Sequence, residues 1–501
     1  MNSIARAAGR APFDPFAMWR DAFPAGYWLA GILSLATLAR IFRLTAFSLW
    51  ADEGFTVQVV LLDAADFLRL ILSDTHPPLY YCCLLVWTGL FGGSEVALRS
   101  LSVFFGVLTV ALTYGVGTML AGRRVGLLAA ALLALSPIHV QYSTEVRMYS
   151  LLALLATAAM WGAVRFATAA GQPEARRRGA VVFALGSALA VLTQLAGVFA
   201  VAPASLMMLA GWWYGGRPRG ALRDWLVANA AVAAIVVAAL PLFVILMQNA
   251  QTLTGWVPAP SLRSVAEVLG AMLAQKLVPP LPIAAAATAA AAILALVSAG
   301  VWWWRRDPLR LAFAFLLGLL PFILTIGVSL SLKPIFLLRI HLWSLVPLQI
   351  VIASAIWSAG RWRSAALGAA VMGLQLLGLY SYHAGPGRPD WRGAATLIAA
   401  SLQLGDIILV PPTPGTEALL GYYDARLRPI SRPLGSVEEL TRAAADGHSR
   451  VWVVTSSWHD RVAPSAIASE LSRRHVRSQE ALLHRLQVEL WTPDGPRVAR
   501  P

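Results

Sequence analysis

Residues 47–55 read Phe-Ser-Leu-Trp-Ala-Asp-Glu-Gly-Phe and set two carboxylates, Asp52 and Glu53, just past the first long apolar run. A carboxylate beside hydrocarbon is costly and usually persists there for function. Either member of this pair could take a proton from a hydroxyl or amine nucleophile. Two more polar clusters follow, Ser73-Asp74-Thr75-His76-Pro77-Pro78 and Ser143-Thr144-Glu145-Val146-Arg147-Met148-Tyr149. Asp74 and His76 precede two prolines that fix the backbone. They could orient a substrate, anchor the loop, or hold a divalent cation, although two ligands alone are a weak metal signal. Glu145 and Arg147 admit two readings. They form a local ion pair capping the helix that starts near Met148, or Arg147 offers its planar fork of donors to a phosphate. Lys333 and Arg339, and also Arg40, Arg43 and Arg99, are either snorkelling anchors or further phosphate contacts. Acids able to act as a base, sharing a face with cations able to bind phosphate, point to phosphate as a leaving group.

The elements that must position these residues are membrane helices. The chain has 501 residues, 58% hydrophobic and 13% charged, with a mean hydropathy of +0.65. No soluble globule needs that much apolar surface, and repeated apolar runs of this length read as spans. They lie near 25–46, 97–120, 125–141, 148–168, 180–193, 195–214, 226–248, 281–304, 310–331, 335–357 and 364–383. The stretch 180–214 is split at Thr193-Gln194 into two short helices. The net charge of +15 does not indicate nucleic acid, because the arginines sit in short clusters between apolar runs. With eleven spans, every cluster from Arg6 to Arg363 falls on one side, the cytoplasm by the positive-inside rule. Counting residues 77–92 as a span would flip Arg123-Arg124 to the outside. That segment is therefore predicted to lie in the outer interface. The first run reads as a retained helix, and the adjacent Cys82 and Cys83 form neither a disulfide staple nor a metal motif.

After His383 the character of the chain changes. Gly385-Pro386-Gly387-Arg388-Pro389 reads as a linker. Beyond it, Asp406–Val410 and Arg450–Thr455 read as buried strands, with helices over Ser436–Ala445 and Ser465–Arg474. The predicted fold class is an all-α polytopic membrane domain over residues 1–384, with about eleven transmembrane helices and an outer interfacial helix. A small exoplasmic α/β domain over residues 385–501 follows it.

Several stretches taken together resemble a known family. They are Leu49-Trp50-Ala51-Asp52-Glu53-Gly54, His76-Pro77-Pro78-Leu79-Tyr80-Tyr81, Glu95 to Ser102 with Arg99, Gly122-Arg123-Arg124-Val125-Gly126, Ala134-Leu135-Ser136-Pro137, and Tyr142 to Tyr149. In order and spacing the chain resembles the GT-C glycosyltransferases, family 39-like: bacterial relatives of protein O-mannosyltransferase and of the lipid A aminoarabinose transferase. The resemblance is densest over 48–150 and thinner to about 360. It implies a polyprenyl-phosphate sugar donor, a glycan, lipid or protein acceptor, and transfer at the outer face of the inner membrane. It also implies a base in the first outer loop, here Asp52 with Glu53 beside it. Asp74, His76, Arg99, Glu145, Arg147, Tyr149, Lys333 and Arg339 are the expected substrate-binding residues. The chain departs from the family pattern at Thr193-Gln194-Leu195, where many relatives have Thr-His-Tyr, and at Ile340, where a Tyr is usual. The expected activity is a hexosyl- or pentosyltransferase with no nucleic-acid partner. A polyprenyl-lipid flippase would need charges near mid-membrane and a path to both faces. An inactive scaffold would not need the intact acidic pair.

Overall fold

The computed structural model describes residues 25–494, apart from 62–63, 170, 254–256, 275–292, 296, 303, 306, 386, 414, 444–448 and 457–461. Seven described helices are long and apolar enough to cross a bilayer. They are Glu95–Ala121, Tyr149–Thr168, Leu195–Tyr214, Arg219–Ala238, Pro308–Ser331, Leu338–Ser358 and Trp362–Ala384. The pair Arg123–Leu135 and Pro137–Ser143 makes an eighth if it is one broken span. The chain is a multi-pass membrane protein. The expected runs thus resolve into these long helices and several shorter ones. The first run is the 17-residue helix Ala25–Ile41. The run 226–248 breaks at Ala239, between Arg219–Ala238 and Leu240–Leu253. Most of the run 281–304 lies outside the described residues. The expected break at Gln194 is present, because Pro173–Thr193 ends there and Gln194 is extended. Residues 77–92 form the helix Leu79–Phe91 of 13 residues. At 1.5 Å per residue it covers about 20 Å, short of a hydrocarbon core of roughly 30 Å.

Two devices shape the bundle. The helices Tyr149–Thr168 and Pro173–Thr193 meet at Gly162, Gly179 and Gly186, where a Cβ would collide with the facing backbone. Small residues allow such close approach. The other device is the 61° bend between Arg123–Leu135 and Pro137–Ser143. Pro137 lacks an N–H and turns the preceding residue away from helical geometry. Arg40, wholly buried, donates from Nη1 to the carbonyl of Ala134 at 3.2 Å and pairs through Nη2 with His139 Nδ1 at 2.7 Å. Arg40, read above as an anchor or phosphate contact, is instead engaged at the helix break.

Beyond the last span, the helix Trp391–Ala400 leads into a five-stranded sheet of order β2-β1-β3-β5-β4. The strands are β1 Ile407–Val410, β2 Ser431–Pro433, β3 Val451–Ser456, β4 His475–Leu483 and β5 Leu486–Pro493. β1 is parallel to β2 and β3, and β5 is antiparallel to β3 and β4. This small α/β unit rests on the segment that follows the first helix and on the start of the helix Glu95–Ala121. A Cβ on Gly54 would run into the carbonyl of Gly415 and into Leu419. Leu49 donates its N–H to Tyr423 Oη at 2.8 Å, and the Tyr423 hydroxyl reaches Glu95 at 2.8 Å.

Candidate active site

Asp52 and Glu53 lie in the first turn of the helix Ala51–Leu61, one residue apart and in opposite environments. Asp52 is partly exposed, and its Oδ2 accepts from Arg339 Nη1 at 3.1 Å. Among the described residues nothing bonds its Oδ1. Glu53 is 0% exposed, and both its oxygens are occupied. Oε1 accepts from Val146 N at 2.9 Å and Arg99 Nε at 3.3 Å. Oε2 accepts from Arg388 Nη1 at 3.0 Å and Arg99 Nη2 at 3.1 Å. Burial alone would raise the pKa of Glu53. The Arg99 and Arg388 guanidiniums outweigh it and hold the carboxyl below its ordinary value. The two adjacent acids therefore differ in geometry. Asp52 keeps an oxygen open to an incoming group, and Glu53 has none.

The turn 143–149 brings in Arg147 and Tyr149. Arg147 Nη1 donates to the backbone carbonyl of Asp52 at 2.9 Å and to Thr56 Oγ1 at 3.1 Å. Its Nε is buried without a hydrogen-bond partner, and no carboxylate among the described residues pairs with it directly. Burial opposes its charge, but Tyr149, Tyr81, Asp52 and Asp74 more than offset this, and its pKa lies above the usual arginine value. The guanidinium carbons of Arg147 and Arg339 sit 5.9 and 5.8 Å from the centre of the Tyr149 ring. Two cations thus converge on one aromatic ring beside Asp52. Glu145 does not pair with Arg147 as a local cap would. Its Oε1 takes Arg388 Nη2 at 2.6 Å and Gln141 Nε2 at 3.3 Å, while its buried Oε2 is unpartnered.

Asp74 and His76 form an adjoining limb. Asp74 Oδ2 accepts from the Tyr81 hydroxyl at 2.5 Å, and His76 Nδ1 lies 3.2 Å from Oδ1. Burial pushes Asp74 up, but His76, Arg147 and Tyr81 bring it below its ordinary value. Among the described residues no group of three or more His, Cys, Asp or Glu side chains is placed to hold a metal ion. Lys333 donates from Nζ to the carbonyl of Ala250, next to Asn249, whose Nδ2 donates to the carbonyl of Asp74 at 2.8 Å. Sequence reasoning missed Arg388, because a Gly-Pro-Gly-Arg-Pro string looks like plain linker. The available signal was the charge excess of the first outer loop, five acids against one base over 47–76, which calls for cations from elsewhere. It also passed over Tyr81 as a site residue. Behind Arg388 a cleft of about 740 Å³ opens, lined among others by Ser48, Asp390, Arg392 and His484.

The fold of the bundle has counterparts among solved structures. A family model described as dolichyl-phosphate-mannose-protein mannosyltransferase matches residues 74–254. ArnT from Cupriavidus metallidurans, bound to undecaprenyl phosphate, superposes with a TM-score of 0.58 at 16% identity, covering 93% of this chain and 98% of that one. Its apo state gives a TM-score of 0.60 at the same identity and coverage. The chain has the fold of the GT-C glycosyltransferases. The archaeal oligosaccharyltransferase AglB from Archaeoglobus fulgidus, in complex with an inhibitory peptide and a dolichol-phosphate, also shares it. That match has a TM-score of 0.54 at 12% identity, over 87% of this chain and 70% of that one. A search of curated protein sequences found no match.

Proposed function

We propose that the chain is an integral-membrane glycosyltransferase that moves a hexose or pentose from a polyprenyl-phosphate donor to a hydroxyl or amine of a glycan, lipid or protein acceptor. The observation that carries this reading is the pairing of functions around Tyr149. Asp52 keeps one carboxylate oxygen open beside two guanidiniums, and one of these, Arg147, is buried with no acidic partner of its own. Asp52 takes the proton of the acceptor nucleophile. The nucleophile bonds to the anomeric carbon as the carbon–oxygen bond to phosphate breaks, and the electron pair leaves on the lipid phosphate. Arg147 and Arg339 stabilise that developing charge with donors already in place. A single displacement of this kind inverts the anomeric carbon. Glu53 holds the geometry, and Asp74 with His76 and Tyr81 lines the adjoining wall.

The site belongs, in this reading, on the periplasmic face of the inner membrane. Residues 1–384 form the transferase unit, and residues 385–501 form an exoplasmic unit whose cleft offers the acceptor a polar wall. The undecaprenyl phosphate of ArnT and the dolichol-phosphate and peptide of AglB support a lipid-phosphate donor and a polymeric acceptor. The test is deletion of the gene followed by mass analysis of the lipid pool. A polyprenyl-phosphate sugar is expected to accumulate while one envelope acceptor loses that sugar. An unchanged lipid-linked sugar pool contradicts the proposal.

A further inference from the structure

Two wholly buried carboxylates, Glu53 and Glu145, are at most 1% exposed and come from different elements, the helix Ala51–Leu61 and the turn 143–149. Between them lies one side chain from the far end of the bundle sequence. Arg388 follows the last span by four residues. It reaches Glu53 Oε2 through Nη1 at 3.0 Å and Glu145 Oε1 through Nη2 at 2.6 Å. Its guanidinium carbon also lies 5.4 Å from the centre of the Trp50 ring. With Arg99 on the outer side of Glu53 at 3.1 Å, the four groups form an alternating row, Arg99, Glu53, Arg388, Glu145. Arg99 continues the row to Glu95 at 3.6 Å, which pairs with Arg392 at 2.7 Å, so three positive and three negative charges alternate and balance. Without Arg388, Glu145 would keep, among the described residues, only Gln141 as a side-chain hydrogen-bond donor, and the row would carry an unbalanced buried anion. Such uncompensated charges are strongly unfavourable.

The row joins the two parts of the reaction. Glu53 is the immediate neighbour of Asp52, and Glu145 is two residues from Arg147. We infer that Arg388 is a positioning residue for sugar transfer: by bridging Glu53 and Glu145 it fixes the base Asp52 and the phosphate-binding Arg147 relative to each other. The outer α/β unit thereby completes the site. The inference rests on the glycosyltransferase reading above. A lysine cannot replace this bridge, because a point charge on a flexible stem does not span two carboxylates as the planar fork does.

The test uses the full-length chain in membranes with the polyprenyl-phosphate sugar that the deletion strain accumulates. Arg388→Gln should lower kcat by about 10²-fold, the scale set by misplacing reacting groups by about 1 Å, and leave the KM for donor nearly unchanged. Arg388→Lys should recover only part of that loss. The double variant Glu145→Gln with Arg388→Gln restores charge balance, because Glu53 keeps Arg99, and should turn over faster than Arg388→Gln alone. A loss of folded protein alone would lower accumulation in membranes and leave the turnover of each folded molecule unchanged. If Arg388→Gln turns over at the wild-type rate, or the double variant is no faster than the single one, the inference is overturned. If Arg388→Gln does not accumulate in membranes, the double variant decides: accumulation with activity supports the charge bridge, and absence overturns it. A wild-type chain that consumes no polyprenyl-phosphate sugar contradicts the underlying reading instead.

Discussion

Arg147 meets a backbone carbonyl and a hydroxyl, and its Nε has no hydrogen-bond partner among the described residues. A guanidinium held this way, with a second one across the Tyr149 ring, is prepared for an anion with several acceptor oxygens. Arg147→Ala should therefore weaken binding of the donor and of free polyprenyl phosphate together. The expected loss is about 1.5–3 kcal/mol, the usual value for a hydrogen bond to a charged group, read by titrating the purified protein with polyprenyl phosphate. Unchanged affinity would leave the turn 143–149 a structural cap and move the phosphate site elsewhere. Residue types and spacing made this cluster legible, since the three outer-loop motifs and Arg339 all converge near Asp52. The division between Asp52 and Glu53 was not legible. Neighbours in sequence give no hint that one carboxylate points into a ring of donors while the other keeps an open oxygen.

At the scale of elements, Glu53 ties four segments together: its own helix, the span Glu95–Ala121 through Arg99, the turn 143–149 through the N–H of Val146, and the post-bundle segment through Arg388. Glu53→Gln leaves two buried guanidiniums short of their shared anion. The expected cost is about 3–5 kcal/mol, as when one partner of a buried pair is removed. The sign with pH follows from the lowered pKa of Glu53 in the folded chain. The stability its charge provides is complete above the unfolded value of about 4.3 and is lost as pH falls through the lower folded value. The gap in thermal unfolding temperature between wild type and Glu53→Gln should hold from neutral pH to about 4.3 and close only below it. Glu145 acts in the opposite sense, because burial, against the pull of Arg388, raises its pKa. A gap that closed near neutral pH would show that Glu53 is not held ionised. Helix positions were mostly readable because apolar runs and breakers such as Pro137 act locally. The hairpin β4–β5 was not, because its turn at His484-Arg485 uses a left-handed Arg485 (φ 58°) in place of the Asn-Gly signal that marks such turns.

At the scale of the whole molecule, the fold places the Asp52 carboxylate, a cluster of guanidiniums and a small α/β unit together beside a helix bundle. The bundle and two strands of the sheet, β1 and β3, could be read from hydropathy and composition, since each depends on local sequence. The meeting of the last segment with the first loop could not, because Arg388 and Glu53 are 335 residues apart and only the closed bundle joins them. The central claim is that Asp52 drives loss of the lipid phosphate. The direct measurement is the rate at which the full-length protein in detergent releases free polyprenyl phosphate, a product common to any sugar. The assay supplies the accumulated lipid-linked sugar and an acceptor-bearing membrane extract. The wild type is expected to release it with acceptor-dependent turnover, and Asp52→Asn about 10²–10⁴-fold more slowly, with its affinity for polyprenyl phosphate nearly unchanged. Release by Asp52→Asn at the wild-type rate would contradict the account.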